Sequence, residues 1–207
     1  MELHCLSLPP LGANCYLLKL RDRLDGLVID PGGAPEAVVH ACGELNMTPA
    51  AILLTHSHFD HVGALNGLLE VWPGLPVYAH SGDLSRPFAP SELFPLDLAT
   101  LSSWQELHDN ETLSLAGIQL QVLHTHGHSK GSVVFLCEDC LFTGDTLFCG
   151  SMGRTDFPGG DVTEMLDSLR RLGELTGDFT VYPGHDRPTT LEAERRSNPY
   201  LREAMAR

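Results

Sequence analysis

The sequence is poor in basic residues. Thirteen Lys and Arg residues stand against 27 Asp and Glu residues in a chain of 207, which gives a net charge of −14. Non-specific binding to nucleic acid or to an anionic membrane surface needs a basic surface, so we expect neither partner. An acidic surface also repels small anionic substrates, unless bound cations reverse the field locally.

Long apolar runs and a signal peptide are also missing. No stretch approaches the roughly 18–20 apolar residues of a membrane span, and the N-terminal MELHC lacks the basic region that opens a signal peptide. We therefore expect a cytoplasmic protein, in which the six cysteines are buried thiols. The single C-x2-C, from Cys137 to Cys140, is typical of a turn between two strands, with redox or zinc chemistry as the alternative.

Short apolar strands alternate with amphipathic helices along the chain. Strands outnumber helices and the two are interleaved, which favours layered sheets with helices outside. The segment 82–110 has no clear periodicity and is either a lid or an irregular connection. Predicted strands cover residues 3–8, 15–20, 26–30, 50–54, 76–78, 112–115, 118–123, 133–137, 140–143 and 179–182; predicted helices cover 35–45, 62–71, 162–172 and 191–196.

Histidine is the unusual component of this composition, with 11 residues, and metal sites are where histidine concentrates. The strongest motif is H-x-H-x-D-H at residues 56–61, directly after the apolar run 51–54. Binding groups cluster at the carboxyl ends of strands, where loops are held by a rigid scaffold. His56 and His58 point the same way from an extended segment, while Asp60 and His61 address a second point a few ångströms away. The motif predicts a metal site.

Three further candidate motifs also follow apolar strands. They are H-T-H-G-H-S-K-G-S at 124–132, G-D-T at 144–146 and G-H-D at 184–186. Across the four strand ends, five histidines and two aspartates can be chosen as ligands. Such a set suits two metal ions with four protein ligands each, if one carboxylate bridges them.

The order T-H-x-H-x-D-H, G-H-S-x-G-S, G-D-T and P-G-H resembles the metallo-β-lactamase superfamily, from residue 14 to about residue 199. The resemblance implies an α/β fold, a four-layer αββα sandwich of two packed sheets with helices on both outer faces. It also implies two divalent cations, with zinc expected and iron or manganese as alternatives. By the same resemblance, His56, His58 and His128 bind the first cation, Asp60, His61 and His185 bind the second, and Asp145 bridges them.

Three histidines alternate at 124–128, and the superfamily pattern selects one of them. His128 is followed by S-K-G-S, in the register of the family ligand, whereas His126 stands where the family usually has proline. We therefore expect His128 to be the ligand and His124 to support the loop. An alternative that stays open is that His126 contacts the metal ligands without binding the metal itself.

The segment G-S-M-G-R-T-D-F-P-G-G-D at 150–161, with Asn198-Pro199, resembles short bacterial glyoxalase II-like proteins of the YcbL type. This implies hydrolysis of a glutathione thioester such as S-lactoylglutathione to D-lactate and glutathione. The reaction would proceed by attack of a hydroxide that bridges the metals, with Asp60 and Asp145 acting through it. Residues 1–207 would form one domain, without the helical C-terminal domain of full-length glyoxalase II.

Departures from glyoxalase II fall on glutathione recognition. Arg154 stands where that family has a lysine, which keeps a cation for a substrate carboxylate. The alternative for Arg154 is a structural salt bridge to Asp156 or Asp161. Asp156 and Arg187 replace two tyrosines of the family, so we expect glutathione recognition to be reduced or altered.

Other activities share these motifs. The segments Gly153–Phe157 and His185-Asp186, with Glu194-Arg195 and Asn198-Pro199, also resemble persulfide dioxygenases of the same fold. Those enzymes use a single iron at the positions of His56, His128 and Asp145. Other hydrolases of the fold, such as lactonases and phosphodiesterases, and a non-catalytic binding module are the remaining alternatives. Loss of one ligand would mark a binding module, and all the expected ligands are present.

Overall fold

The computed structural model describes residues 1–84 and 102–207, which form two mixed sheets stacked face to face. Helices cover the outer face of each sheet, and three apolar clusters fill the spaces between the four layers. This is the αββα sandwich predicted from the sequence, and the prediction is confirmed.

The first sheet has strand order β1-β2-β3-β4-β5-β6. Its first three strands pair antiparallel, and the strands from β3 to β6 run parallel to one another. The carboxyl ends of β3 and β4 therefore lie side by side at one edge of the sheet. The strands are β1 Glu2–Leu8, β2 Ala13–Lys19, β3 Asp25–Ile29, β4 Thr48–Leu53, β5 Val77–Ala79 and β6 Trp104–Glu106.

Three helices belong to this half of the chain: α1 Pro35–Glu44, α2 Phe59–Val62 and α3 Leu65–Val71. The single helix predicted over 62–71 is wrong in its start and its continuity. Gly63 and Ala64 form a turn between α2 and α3. An added Cβ on Gly63 would lie 2.5 Å from the Gly32 carbonyl oxygen, and Ala64 donates its N–H to the Pro31 carbonyl at 2.9 Å. The earlier start places Asp60 and His61 on a helix.

The second sheet has strand order β14-β13-β10-β9-β8-β7. Its pairs are antiparallel except for β10 and β13, which run parallel. Cys137 and Cys140 lie opposite each other in the register of the β9–β10 hairpin. Both are free thiols, as the turn interpretation predicted. The strands of this half are β7 Thr112–Leu115, β8 Ile118–His124, β9 Val133–Cys137, β10 Cys140–Gly144, a small ribbon of β11 Leu147–Phe148 and β12 Ser151–Met152, then β13 Thr180–Pro183 and β14 Thr189–Thr190.

The helices of this half are α4 Val162–Gly173, α5 Leu191–Ser197 and α6 Pro199–Ala206. The prediction of one helix at 191–196 missed α6. Asn198 separates the two helices, because it follows α5 and caps α6 by accepting hydrogen bonds from the N–H groups of Tyr200 and Leu201 at 3.0 and 3.3 Å. Pro199 then occupies the first position of α6, where its missing N–H is not needed.

The central apolar layer fixes how the two sheets stack. Tyr16 of β2 packs edge-on against Phe142 of β10, with ring centroids 5.3 Å apart. Every residue of β2 is buried, as expected for a strand that has a helix layer on one face and a second sheet on the other. The stacking brings the carboxyl ends of β4, β10 and β13 to one edge of the sandwich.

The segment 82–110 is described only in part. Ser81–Asp83 form a single 3-10 turn after β5, and β6 begins at Trp104. Residues 85–101 lie outside the described residues, so the two alternatives for this segment, a lid and an irregular connection, both stay predictions. Within the described residues, no helix combines the length and the hydrophobicity that crossing a bilayer requires.

Replacement of Asn198 by Ala tests the link between α6 and the β11–β12 ribbon. The fully buried Asn198 side chain donates to the Ser151 carbonyl and to Glu194 Oε2, both at 2.9 Å, besides capping α6. We expect Asn198→Ala to lower the free energy of unfolding by about 2–4 kcal/mol, from the lost cap and the buried groups left unpaired. Urea denaturation measures this value; the exposed neighbouring variant Ser197→Ala should change it by less than about 0.5 kcal/mol, and equal losses would contradict the assignment.

Candidate metal centre

The predicted ligands lie in four segments at one edge of the sandwich. The segment after β4 carries His56 and His58 in the loop and Asp60 and His61 on the short helix α2, and the other three loops follow β8, β10 and β13. Each loop begins where a buried strand ends, so its first residues are held by the sheet. The structure therefore brings together side chains that are up to 129 positions apart in the sequence, from 56 to 185.

One cluster consists of three imidazoles. The nitrogens of His56, His58 and His128 lie within 4.8 Å of one another, and His58 Nδ1 is 2.8 Å from His128 Nε2. His128 Nδ1 lies 2.7 Å from the Arg154 carbonyl oxygen. Because that oxygen accepts the Nδ1 proton, Nε2 is left with its lone pair toward the cluster.

A second cluster, of one carboxylate and two imidazoles, lies beside the first. Ligand atoms of Asp60, His61 and His185 are within 4.8 Å of one another, and His185 Nε2 is 3.1 Å from Asp60 Oδ2. The His61 and His185 rings meet at 78° with centroids 5.4 Å apart. The nitrogens of both rings can therefore approach a common point beside the carboxylate.

Asp145 stands between the two clusters. Its Oδ2 is 3.5 Å from His128 Nε2 in the first cluster and 3.8 Å from His185 Nε2 in the second. Its Oδ1 is 3.4 Å from His61 Nε2. This is the place that a carboxylate bridging two cations would occupy.

The donor atoms fit metal binding. Among the described residues, His56 Nε2, His61 Nε2 and Asp145 Oδ1 are buried polar atoms without a hydrogen-bond partner. Such atoms are rare in folded proteins, since burying them unpaired costs free energy, and an ion is one of the explanations they call for. Imidazole nitrogens and carboxylate oxygens are ligands of zinc, iron and manganese. The residues present could hold two such cations.

The two clusters differ in the protonation of their histidines. Burial, reinforced by the neighbouring imidazoles, lowers the pKa of His56 well below its ordinary value and lowers the pKa of His58 to about 4. Both rings are therefore neutral near pH 7, as metal ligation requires. The first cluster needs to lose no proton from these two rings before it binds a cation.

The second cluster is more strongly charged. Burial alone would lower the pKa of His61, but the Asp145 and Asp30 carboxylates outweigh it and raise that pKa well above its usual range. The hydrogen bond with Asp60 raises the pKa of His185. Burial favours the neutral form of Asp145, yet His61 and the other nearby imidazoles hold the Asp145 pKa below its ordinary value. A cation that binds here replaces protons on the imidazoles.

Asp30 is a functional residue that the sequence analysis missed. It follows β3, and its Oδ2 lies 3.0 Å from His61 Nδ1 and accepts the Thr55 hydroxyl at 2.5 Å, while Oδ1 accepts the Thr55 N–H at 2.7 Å. Asp30, His56 and His61 also form a third group of potential metal ligands, with atoms within 4.8 Å of one another. Because its oxygens are already engaged, we assign it to orienting His61. Its place at the end of β3, next to β4, was the available sequence signal.

Asn14 and Gly184 position the loop that carries His185. The Asn14 amide donates to the carbonyls of Pro183 and Asp186, both at 2.9 Å, and its backbone N–H donates to Gly184 at 2.7 Å. A Cβ on Gly184 would lie 2.3 Å from Asp145 Oδ1. Glycine is required there because the loops approach too closely for any side chain.

Arg154 and Phe157 form the rim of the site beside the first cluster. Arg154 makes a two-point salt bridge to Asp156, with both N–O distances at 2.7 Å, and its guanidinium carbon lies 3.7 Å from the centre of the Phe157 ring. That ring stands perpendicular to His58 at a centroid distance of 5.6 Å. Of the two salt-bridge partners considered from the sequence, Asp156 is used, whereas Asp161 caps α4.

The other two histidines of the 124–128 segment lie outside both clusters. His124 Nε2 bonds to the Lys130 carbonyl at 2.9 Å, and its ring stacks on His80 at 4.1 Å. This contact supports the loop, as the sequence suggested. His126 Nδ1 is buried without a partner in the described structure, and the three groups of potential ligands found there do not include it.

Comparisons with known proteins place the chain in context. A family model of the metallo-beta-lactamase superfamily matches residues 8–185. Over 219 residues the chain is 33% identical to hydroxyacylglutathione hydrolase GloC of Haemophilus influenzae, covering 97% of this chain and 98% of that protein.

Three solved structures are similar over nearly the whole chain. The BLEG-1 B3 metallo-beta-lactamase has 36% identity and a TM-score of 0.85, covering 97% of this chain and 99% of that one. TTHA1623 in a di-iron-bound form has 36% identity and a TM-score of 0.79, covering 95% and 99%. ETHE1 from Myxococcus xanthus has 29% identity and a TM-score of 0.78, covering 96% and 84%.

Enlargement of Gly184 tests the close approach of the loops. In Gly184→Ala the added carbon would meet Asp145 Oδ1 and also His61 Cε1, at 2.7 Å, so we expect the Asp145 carboxylate to be displaced. Cation affinity, measured by competition with a chromophoric chelator, should fall about tenfold or more. Gly43→Ala is the matched control, because an added Cβ there meets nothing within 4 Å; equal affinities in the two variants would contradict the interpretation.

Proposed function

The chain belongs to the metallo-β-lactamase superfamily, and on that premise we propose that it hydrolyses glutathione thioesters, such as S-lactoylglutathione, with two bound divalent cations. Hydrolase chemistry and metal binding are properties supported by the family match and by the ligand groups. The observation that carries the proposal is the convergence of two ligand clusters on one bridging carboxylate. The proposed ligands are His56, His58 and His128 for one cation, Asp60, His61 and His185 for the other, and Asp145 for both.

Two cations in these clusters would supply a hydroxide nucleophile near neutral pH and a Lewis acid for the thioester carbonyl. The protein's own contribution is orientation and charge. The Arg154 carbonyl fixes the tautomer of His128 at Nδ1, and Asp30 lies within hydrogen-bond distance of Nδ1 of His61. The ionised Asp60 and Asp145 carboxylates would offset part of the positive charge of the cations, and Asp60 Oδ2 lies 3.1 Å from His185 Nε2.

Two observations support a thioester as the substrate: the similarity to GloC, and the residues Arg154 and Phe157 at the rim of the site. GloC of Haemophilus influenzae, named as a hydroxyacylglutathione hydrolase, matches almost end to end. The Arg154 guanidinium lies against Phe157 at the rim and would exchange its Asp156 partner for a carboxylate of glutathione, and Phe157 offers an apolar face. Because the chain is acidic overall, with a net charge of −14, a local cation is needed to attract an anionic thiol ester.

One alternative is an iron-dependent oxygenase. A structure with 36% identity is in a di-iron-bound form, so iron suits clusters of this kind. Persulfide dioxygenases of this fold use a single iron, at the positions of His56, His128 and Asp145. Another alternative is β-lactam hydrolysis, because the BLEG-1 structure is a B3 metallo-beta-lactamase. Both are tested together with the thioester.

A substrate panel with metal analysis tests the proposed function. The purified protein should contain close to two divalent cations per chain and hydrolyse S-lactoylglutathione, and Asp145→Ala should abolish that turnover because it removes the bridging group. A single iron with oxygen consumption on glutathione persulfide would select the dioxygenase, and hydrolysis of a β-lactam in preference to the thioester would select a lactamase. Full turnover by Asp145→Ala would show that the bridge is misassigned.

Replacement of Arg154 tests its role as an anchor. If its guanidinium binds a glutathione carboxylate, Arg154→Ala should raise KM for S-lactoylglutathione about tenfold, the value of one charge-assisted hydrogen bond, with kcat nearly unchanged. KM for a thioester of an uncharged thiol should not change.

Arg23→Ala is the matched control for this variant. Arg23 forms the same two-point salt bridge, to Asp25 at 2.7 and 2.8 Å, on the β2–β3 turn outside the site. It should leave both KM values unchanged. Equal effects of Arg154→Ala on the charged and uncharged substrates would reduce Arg154 to a structural role.

A further inference from the structure

Asp83 is a buried carboxylate close to the imidazole cluster but outside the set of proposed ligands. It ends the 3-10 turn that follows β5, and only 7% of its surface is exposed. A buried ionised carboxylate costs free energy unless several donors satisfy it. Its hydrogen bonds therefore identify what it is built to hold.

Two of these bonds reach the first ligand loop. Asp83 Oδ2 accepts the Ser57 N–H at 2.9 Å, and the Asp83 carbonyl accepts the Ser57 hydroxyl at 2.9 Å. Ser57 stands between His56 and His58. The two bonds thus fix the backbone that spaces the two imidazoles.

Two further bonds reach the loop of the third imidazole. Asp83 Oδ2 accepts the Ser129 hydroxyl at 2.8 Å, and Oδ1 accepts the Gly131 N–H at 2.7 Å. Ser129 directly follows His128. A Cβ on Gly131 would come within 2.6 Å of Asp83 Cγ, so the close contact between the turn and this loop depends on glycine.

We propose that Asp83 is a positioning residue that sets the spacing of His56, His58 and His128, and so raises the cation affinity of this cluster alone. It acts through the backbone and hydroxyl groups next to the ligands, and its charge favours a cation nearby. In the second cluster His61 contacts a different carboxylate, Asp30, which also accepts the N–H and hydroxyl of Thr55 beside His56. The inference rests on the proposed function, because it presupposes that the imidazole cluster binds a cation.

Zinc affinity in two half-site backgrounds tests this assignment. His185→Ala weakens the second cluster and leaves the imidazole cluster complete, whereas His58→Ala does the reverse. Addition of Asp83→Asn should raise the zinc dissociation constant about 10–100-fold in the His185→Ala background, the usual effect of removing a partner behind the ligands. The same substitution should raise the zinc dissociation constant less than about threefold in the His58→Ala background, because none of the Asp83 hydrogen bonds reaches the second cluster. Competition with a chromophoric chelator gives both constants.

Asp109→Asn is the matched control. Asp109 Oδ1 accepts the His124 N–H and an Arg171 N–H, both at 2.8 Å, so it also holds the base of the 124–132 loop but reaches none of the ligands. It should change neither constant. Asp30→Asn should raise the zinc dissociation constant in both backgrounds, because Asp30 holds Thr55, next to His56, as well as contacting His61.

The outcomes separate the two proposals. No zinc binding by the wild-type protein would refute the proposed function and the inference together. Two bound cations in the wild-type protein, with equal or absent effects of Asp83→Asn in the two backgrounds, would overturn the inference alone. If Asp83→Asn does not fold, Ser129→Ala decides: it removes one bond to Asp83, and we expect the same selectivity with an increase of about threefold to tenfold, whereas unchanged constants would overturn the inference.

Discussion

The convergence of five imidazoles and two carboxylates at one edge of the sandwich is the constraint on which the rest of the site depends. Side chains that close together leave no room for others, so the backbone around them is built from glycine. Gly184 faces Asp145 and His61, and an added Cβ on Gly153 would lie 1.9 Å from the Asp145 carbonyl oxygen. The glycines next to the ligands are therefore part of the site, although they have no side chain that could bind a cation.

A second requirement is that each imidazole presents the correct nitrogen. The structure meets it with groups on neighbouring loops, because a ring that ligates through one nitrogen can be fixed through the other. The Arg154 carbonyl engages His128, and Asp30 engages His61. Asp83 works one step further out, on the residues that flank the rings. Asp83 thus supports the imidazole cluster, whereas Asp30 contacts His61 and also holds the residue before His56.

The sequence predicted the ligand motifs and their position after strands, since binding groups cluster where a strand ends and the following loop is held by the sheet. It did not predict Asp30, Asp83 or Asn14 as parts of the site, because their partners are distant in the chain and only the stacking of sheets brings them close. The break at Gly63 was missed for the same reason: it follows from contact with Gly32. The last helix had a local signal, Asn198 followed by Pro199, which was used for the family resemblance and not for a helix start.

The ligand groups are divided between the two sheets: four follow β4 of the first sheet, and His128, Asp145 and His185 follow strands of the second. Cations held there would fasten the sheets to each other, and the unfolded chain has no comparable arrangement to offer them. Their binding free energy would therefore add to the free energy of unfolding, by about 4 kcal/mol for an ion at a thousand times its dissociation constant. Under metal depletion the same sandwich would open more readily at this edge, so the lifetime of the protein would depend on the metal supply of its surroundings.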